Sequence, residues 1–133
     1  MKLSNFLNCI EKNDARGDMS REITSIAYDS RKVEPGCLFV AMRGLKTDGH
    51  QYIKAAIDKG ATAVVAETDI NLENIPVIKV PDSRKALADI AACFYDYPAD
   101  TMDIIGVTGT NGKTSVTHMI AEALNANGIK TGI

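Results

Sequence analysis

Apolar residues recur along the chain with two spacings, one typical of helices and the other typical of strands. Near the start, Leu3, Phe6, Leu7 and Ile10 lie three or four positions apart, so they would share one face of a short amphipathic helix that Ser4 could cap. The same spacing predicts three further helices, over residues 52–59 before Gly60, residues 83–97 after a cap at Asp82 or Ser83, and residues 113–127.

Strands are predicted where apolar and β-branched residues are consecutive or alternate with polar ones. Residues 13–20 are polar around Gly17 and are predicted to form a loop. Because predicted strands and helices alternate, the pattern indicates a small, mainly parallel, Rossmann-like α/β domain. The predicted strands cover residues 23–28, 38–42, 61–66, 77–80 and 103–107, and residues 128–133 lead towards another.

Composition narrows the class of protein. The chain has 133 residues, 45% hydrophobic and 24% charged, as in an ordinary folded domain. Its formal net charge of −2 argues against nucleic acid as the main partner, because nucleic-acid-binding proteins usually present a basic surface. Cys9, Cys37 and Cys93 form no C-x-x-C pair and indicate free thiols. No apolar run is long enough for a membrane helix, so we expect a cytoplasmic protein without a membrane partner.

Residues 104–115 have the composition of a nucleotide-phosphate loop. The glycines would let the backbone curl around phosphate oxygens, and the following helix would point its first N–H groups at them. Lys113 would add a positive charge, and the Thr114 hydroxyl would be a magnesium ligand. The match to G-x-x-x-x-G-K-[ST] is imperfect because Val107 occupies the first glycine position. An ordinary surface turn is the alternative.

The segment from Tyr97 to Asp100, which contains Pro98, is the predicted domain boundary. Residues 1–98 would form the first domain. Residues 99–133 would form the first strand, loop and helix of a P-loop ATPase domain.

Two polar clusters follow predicted strands of the first domain. Asp29, Ser30 and Arg31 come after the first strand, and residues 43–50 supply two glycines and two cations after the second. Open α/β sheets bind ligands at the carboxyl ends of their strands, so both clusters are candidate binding segments. The alternative for the first cluster is a surface turn in which Asp29 pairs with Arg31. We expect His50 to be an exposed residue at a helix start rather than a ligand contact.

Three stretches of this sequence resemble the Mur ligases of bacterial cell-wall synthesis. They are YDSR at residues 28–31, PGCLFVA leading to TDGH at residues 35–50, and GVTGTNGKT at residues 106–114. They follow the family's order over nearly the whole chain, and T-G-T-N-G-K-T is the family's own form of the phosphate loop. The sister enzyme that adds D-Ala-D-Ala more often has T-G-S-x-G-K-T. Thr110 and Asn111 therefore favour the ligase that adds the third residue of the stem peptide.

The resemblance implies two binding sites. Ser30 and the backbone around Tyr28 would hold the uridine diphosphate part of UDP-N-acetylmuramoyl-dipeptide, the substrate to which the family implies an amino acid is joined. The loop of Leu45, Lys46 and Thr47 would line the same site. The residues implied to bind ATP are Gly109, Thr110, Asn111, Gly112, Lys113, Thr114 and Ser115.

The implied activity is ATP-dependent amide formation on UDP-N-acetylmuramoyl-L-Ala-D-Glu. The D-glutamate carboxylate would become an acyl phosphate, which the amine of the third amino acid attacks. Lys113 would be catalytic, because together with magnesium on Thr114 it offsets charge on the transferred phosphoryl group. A D-Ala-D-Ala-adding ligase, a folylpolyglutamate synthetase-like ligase and a non-catalytic nucleotide-binding module remain alternatives.

We expect the chain to be the N-terminal part of a longer enzyme, because an acidic metal ligand and further strands do not follow the phosphate loop within these residues. Apolar residues of the last strand and helix would then lack cover. This truncated tail is expected to dock on the first domain, to self-associate or to be disordered. The chain alone should bind the UDP substrate weakly and catalyse no ligation.

Overall fold

A five-stranded sheet forms the centre of the first of two units in the computed structural model. The structure describes residues 1–44 and 47–133, and it divides them into Met1–Pro98 and Ala99–Ile133. The strands of the first unit are β1 (Asp14–Arg16), β2 (Ser25–Ala27), β3 (Cys37–Val40), β4 (Ala61–Ala66) and β5 (Val77–Lys79). Its α-helices are α1 (Leu3–Phe6), α2 (Ile53–Asp58) and α3 (Ser83–Phe94), with short 3-10 segments at Ser30–Lys32 and Gly49–Tyr52.

The strand order is β1-β5-β4-β3-β2, and the four strands β2 to β5 are parallel. The predicted α/β class with a mainly parallel sheet is confirmed. The loop predicted for residues 13–20 is wrong, because Asp14 to Arg16 pair antiparallel with Lys79 to Val77 at the sheet edge. The three residues of β1 have no strand-like alternation, so their conformation comes from the ladder with β5 rather than from local preference.

Side chains of the sheet pack against helices on both faces. Leu38 and Val40 of β3 face the layer that contains α1 and α3, whereas Phe39 of β3 faces the layer that contains α2. This alternation follows from the two-residue period of a strand. The buried residues of the first layer are Leu3, Phe6, Ile10, Ile23, Leu38, Val40, Ala63, Val65, Ile78, Val80, Ala86, Ile90 and Cys93. Those of the second layer are Ala27, Val33, Cys37, Phe39, Ala41, Ile53, Ala56, Ala61, Val64 and Ala66.

Two helix ends are set by capping residues that the sequence indicates, and a third is not. Asp82 caps α3, since its Oδ1 accepts hydrogen bonds from the backbone N–H groups of Arg84 at 2.8 Å and Lys85 at 3.0 Å. Gly60 follows α2 with φ of 107°, a left-handed conformation that ends a helix at low cost only for glycine. The prediction for α1 is wrong in detail, because Ser4 lies inside the helix and Lys2 precedes it without a side-chain cap.

The second unit contains α4 (Lys113–Ala126), which begins where the sequence predicts. The strand predicted for residues 103–107 is wrong, since this segment pairs with no strand in the part of the chain that the structure describes. Ile104 is 71% exposed and Ile105 58% exposed. An apolar run supplies the side chains of a buried strand, but a strand forms only where a neighbour completes its hydrogen bonds. Residues 128–133 likewise form no strand.

The contact between α3 and the sheet predicts a measurable loss of stability. Ile90 is fully buried among the residues of the first layer. Ile90→Ala should lower the free energy of unfolding by about 2–5 kcal/mol, because it removes buried methylene groups and leaves a cavity. Urea unfolding measures this change. Ile90→Val is the matched control and should cost only about 0.5–1.5 kcal/mol. Equal losses for both variants would contradict the packing described here.

Candidate functional site

Candidate site residues of the first unit lie at the carboxyl ends of neighbouring parallel strands. Tyr28 and Ser30 follow β2, and Thr47 lies in the segment after β3. The two strands are adjacent, with Ala27 of β2 opposite Phe39 of β3. The fold therefore brings these predicted segments to one edge of the sheet, where open α/β folds bind ligands. Leu45 and Lys46, predicted for the same site, lie outside the described residues.

Asp29 and Arg31 form the paired turn that the sequence offered as an alternative. The Arg31 guanidinium donates to Asp29 through Nε at 2.9 Å and through Nη2 at 2.8 Å. The backbone N–H of Arg31 also donates to Asp29 Oδ1, so the carboxylate caps the short 3-10 segment. The hydrogen bond from the Arg31 side chain, and to a smaller extent the one from its backbone N–H, lowers the pKa of Asp29 to about 2. The pair holds Ser30 between two fixed neighbours, and its ligand role stays a prediction.

A tight turn follows β3. The N–H of Gly44 donates to the carbonyl of Thr47 at 2.9 Å, and the N–H of Gly49 donates to the carbonyl of Met42 at 2.8 Å. A Cβ atom at Gly49 would lie 2.6 Å from the Met42 oxygen, a distance that real Cβ atoms do not show. Glycine is therefore required here by crowding. We call the described residues Arg43, Gly44, Thr47 and Asp48 the β3 turn.

His50 connects the β3 turn to β4. Its Nε2 accepts a hydrogen bond from the N–H of Glu67 at 3.0 Å, and its Nδ1 lies 2.5 Å from Asp48 Oδ1. Because Nε2 is an acceptor, the ring proton belongs on Nδ1 and is donated to Asp48. The expectation of an exposed histidine is wrong, since the side chain is only 11% exposed. The hydrogen bond from the backbone N–H of His50, and to a smaller extent the one from its ring, lowers the pKa of Asp48.

Glu67 also connects β4 to the start of α3. Its Oε1 accepts hydrogen bonds from the backbone N–H of Ser83 at 3.0 Å and from the Ser83 hydroxyl at 2.7 Å. These two bonds, in that order, are the main reason that the pKa of Glu67 is lowered. Glu67 directly follows the apolar run of β4 and is not among the site residues predicted from the sequence. Its position at a strand end was the signal that could have identified it.

The predicted phosphate loop of the second unit has two features that are typical of anion sites, namely glycines at positive φ angles and a helix that begins directly after them. Gly109 has φ of 149° and Gly112 has φ of 78°, both in the region that favours glycine. Gly112 directly precedes α4, so the first N–H groups of this 14-residue helix have no partner within the helix. Apart from its two chain neighbours, no heavy atom lies within 4 Å of a Cβ built on Gly112, so this side of the loop is open.

Lys113 lies across this loop. Its Nζ donates to the carbonyl oxygen of Gly109 at 2.7 Å, so the ammonium group is held above the curled backbone. Thr114 follows in the first turn of α4 and is exposed. Within residues 1–44 and 47–133, no group of three or more His, Cys, Asp and Glu side chains could hold a metal ion.

An open cleft of about 370 Å³ lies elsewhere in the first unit. Its lining includes Arg16 and Gly17 at the end of β1 and Val77 at the start of β5. This is the opposite end of the sheet from Ser30 and the β3 turn, so the cleft does not belong to the candidate site. In the described part of the chain, no helix has the length and apolar character needed to span a bilayer.

Comparison with known protein families gives two matches that follow one another along the chain. Residues 22–95, which include the carboxyl ends of β2, β3 and β4, match the Mur ligase family, catalytic domain. The chain belongs to the Mur ligase family. Residues 107–133, which include the phosphate loop and α4, match the Mur ligase middle domain. The resemblance carried by YDSR, TDGH and TGTNGKT is confirmed.

Individual relatives are similar over the whole or most of the chain. A UDP-N-acetylmuramoyl-L-alanyl-D-glutamate--2,6-diaminopimelate ligase from Clostridioides difficile (strain 630) is 43% identical over 133 residues, which are 100% of this chain and 28% of that protein. Crystal structure I of MurF from Acinetobacter baumannii has a TM-score of 0.78 at 24% identity, covers 94% of this chain and 27% of its own, and shows the shared fold.

A second solved structure bears on the nucleotide. MurF ligase from Thermotoga maritima, in complex with ADP, has a TM-score of 0.60 at 28% identity over 80% of this chain and 24% of its own. The chain therefore spans between 24% and 28% of the length of these three proteins. The roles of individual site residues in this Mur ligase chain stay predictions.

The Glu67–Ser83 contact predicts a pH dependence of stability. Because folding lowers the pKa of Glu67 below 4.5, the contact stabilises the fold above this value and is lost as the pH falls through the folded-state pKa. Glu67→Gln should therefore be less stable than the wild-type chain at neutral pH, and the difference should shrink on acidification. Urea unfolding across the pH range measures this difference in stability.

The matched control is Glu73→Gln, which changes an exposed carboxylate between β4 and β5. A pH-independent difference for Glu67→Gln would contradict the assignment.

Proposed function

We propose that this Mur ligase chain binds the two nucleotide-containing substrates of an ATP-dependent amide-forming ligase. The first unit would bind the uridine diphosphate end of UDP-N-acetylmuramoyl-L-Ala-D-Glu, and the second unit would bind ATP. The observation that carries the proposal is the 43% identity, over all 133 residues, with a relative named as a ligase of this substrate. The site geometry supports it, because each unit offers a segment suited to an anionic ligand.

The uridine diphosphate end would lie at the carboxyl edge of β2 and β3. The Ser30 hydroxyl would donate a hydrogen bond to the substrate. The backbone around Tyr28 would also contact the substrate, beside the Tyr28 side chain, since this residue is 59% exposed. Thr47 of the β3 turn, with Leu45 and Lys46, would complete the contact. This site would hold the end of the substrate that is remote from the reacting carboxylate, so its binding energy would position the reacting end.

ATP would bind over residues 109–115. The N–H groups at the start of α4 would contact phosphate oxygens, and Lys113 would exchange its contact with the Gly109 carbonyl for the outer phosphates. Thr114 would contact Mg²⁺ held by the same phosphates. ATP would supply the phosphoryl group that activates the carboxylate. Because ATP is an intracellular metabolite, the proposed reaction would occur in the cytoplasm.

We propose addition of the third residue of the stem peptide rather than of D-Ala-D-Ala. The loop pair Thr110-Asn111 supports this choice, as does the similarity to the diaminopimelate ligase from Clostridioides difficile. Phosphate release by the complete gene product, measured with a panel of amino acids that includes diaminopimelate and lysine, identifies the added residue. Activity only with D-Ala-D-Ala, or only with a folate substrate, would identify the corresponding alternative ligase.

A non-catalytic nucleotide-binding module is the second candidate. One observation favours it: no cluster of acidic side chains able to hold a metal lies within the described residues. The complete gene product would then bind ATP and the UDP-linked substrate but form no amide. Mass spectrometry of the product separates the two candidates directly.

The first prediction from this proposal concerns Ser30. Ser30→Ala in the complete gene product should raise the KM for UDP-N-acetylmuramoyl-dipeptide roughly tenfold, since one hydrogen bond to a charged group is lost. The kcat should change much less, because the lost contact is equally present in the ground state and the transition state. Steady-state kinetics with saturating ATP and amino acid measure both constants.

Lys113→Ala provides the complementary control in the same assay. It should lower kcat roughly a hundredfold or more and leave the affinity for the UDP-linked substrate unchanged, because its charge acts on the transferred phosphoryl group. Lys130→Ala, which changes an exposed cation after α4, should leave both constants unchanged. A fall in kcat for Ser30→Ala without a rise in KM would remove Ser30 from the binding role.

We further propose that the 133-residue chain self-associates through apolar residues of its second unit. Ile104 is 71% exposed and Met119 on α4 is 68% exposed, and such apolar side chains favour association. Sedimentation velocity should show an average mass that rises with concentration. Met119→Lys should reduce the rise, whereas His118→Lys, an exposed neighbour on α4, should not. A monomer at every concentration would contradict the proposal.

A further inference from the structure

At the carboxyl edge of the sheet, a chain of hydrogen bonds passes through the His50 ring, a side chain that has no role in the proposed function. It runs from Asp48 in the β3 turn through the His50 ring to the backbone of Glu67, and from the Glu67 carboxylate to Ser83. Two halves meet at Glu67. One half leads to the segment proposed to contact the uridine diphosphate, and the other leads only to the start of α3.

The His50 ring can make this link in one protonation form only. Nε2 must be unprotonated to accept from the Glu67 N–H, while Nδ1 must carry the proton that it donates to Asp48. No other side chain of similar size offers an acceptor and a donor at these two positions. Asparagine could replace the Nδ1 contact but would be too short for Glu67, and glutamine could replace the Nε2 contact but not the bond to Asp48.

The contacts of Asp48 show what the ring holds in place. Its Oδ2 lies 4.0 Å from Nε of Arg43 at the other end of the β3 turn, and the two residues also form an isolated antiparallel bridge. The turn is closed again by the bond from Gly44 to Thr47. Holding Asp48 in place therefore restrains Arg43 at the other end of the β3 turn, and it also restrains Thr47, which directly precedes Asp48.

Charge also matters at this edge. A diphosphate close to a free Asp48 carboxylate would be repelled, because like charges at short range oppose binding. Asp48 Oδ1 accepts hydrogen bonds from the His50 ring and from the His50 backbone N–H, and Oδ2 lies 4.0 Å from Arg43 Nε, so both carboxylate oxygens have partners in the protein. The ring thus helps to hold both the turn and its negative charge in place.

We propose that His50 is a positioning residue for the uridine diphosphate end of the substrate, acting through Asp48 on the β3 turn. This inference rests on the proposed function. His50 makes no contact with the reacting carboxylate in this proposal, so it affects how well the nucleotide end is held and leaves the chemical step unchanged. Both contacts of the ring are needed, since together they form the side-chain link between Asp48 of the β3 turn and Glu67 at the end of β4.

The test compares two substrates in the complete gene product. One is UDP-N-acetylmuramoyl-dipeptide, and the other is the same sugar peptide carrying only the 1-phosphate. The preference for the UDP-linked substrate, expressed as the ratio of the two kcat/KM values, reports the contacts made by the uridine nucleotide. A general loss of stability lowers the amount of active protein and leaves this ratio unchanged.

His50→Asn and His50→Gln should each reduce the preference roughly tenfold, through a higher KM for the UDP-linked substrate and an almost unchanged kcat. The combined variant His50→Asn with Asp48→Asn should lose little more than His50→Asn alone, because the two residues act as one unit. Thermal unfolding of each variant establishes the folded fraction.

Ser83→Ala is the matched control. It removes the hydrogen bond that the Ser83 hydroxyl donates to the same Glu67, on the side that faces α3, so it should lower the melting temperature and keep the substrate preference of the wild-type protein. An equal loss of preference in Ser83→Ala would show that His50 acts only through stability and would overturn the proposal. Wild-type preference in either His50→Asn or His50→Gln would also overturn it.

The wild-type measurement separates this inference from the proposed function. A wild-type protein with no preference for the UDP-linked substrate would contradict the proposed uridine diphosphate site itself. A wild-type preference that either His50 variant retains would contradict only the role of His50.

Discussion

Parallel pairing of β2, β3 and β4 places their carboxyl ends side by side, and the hydrogen bonds around Glu67 hold the segments that follow them. The N–H of Glu67 donates to His50, and its carboxylate accepts from Ser83, so one residue joins the β3 turn, β4 and α3. A backbone N–H and a carboxylate act together here because Glu67 comes directly after the last residue of β4. If the register of β4 slipped by one residue, side chains would exchange faces and both links would be broken.

The two units build their proposed anion-binding segments by different physical means. In the second unit, the phosphate loop depends on local features: positive φ angles at Gly109 and Gly112, and the free N–H groups at the start of α4. In the first unit, Ser30 and the β3 turn depend on the sheet that brings β2 and β3 together. The first site is therefore sensitive to substitutions far along the sequence, such as at Glu67, whereas the loop before α4 is sensitive mainly to its own residues.

The same distinction explains where sequence reasoning succeeded. The sequence predicts Gly60 after α2 and narrows the cap of α3 to Asp82 or Ser83, of which Asp82 is the cap, because caps act within one turn of a helix. The strand β1 was missed, since Asp14 to Arg16 become a strand only by pairing with β5. Conversely, residues 103–107 have a strand-like sequence and yet form no strand in the described structure. Propensity describes what a segment can do, and a hydrogen-bonding neighbour decides whether it does so.

By itself, the sequence determined the α/β class, the position of α4 and the family, because periodicity, glycine positions and the TGTNGKT loop are properties of short contiguous segments. It also indicated that polar residues after β2 and β3 belong to a site. Only the tertiary structure decided that His50 is enclosed between Asp48 and Glu67 rather than exposed. The reason is that Glu67 lies 17 positions away in sequence, and only the pairing of β3 with β4 brings its N–H within hydrogen-bonding distance of the ring.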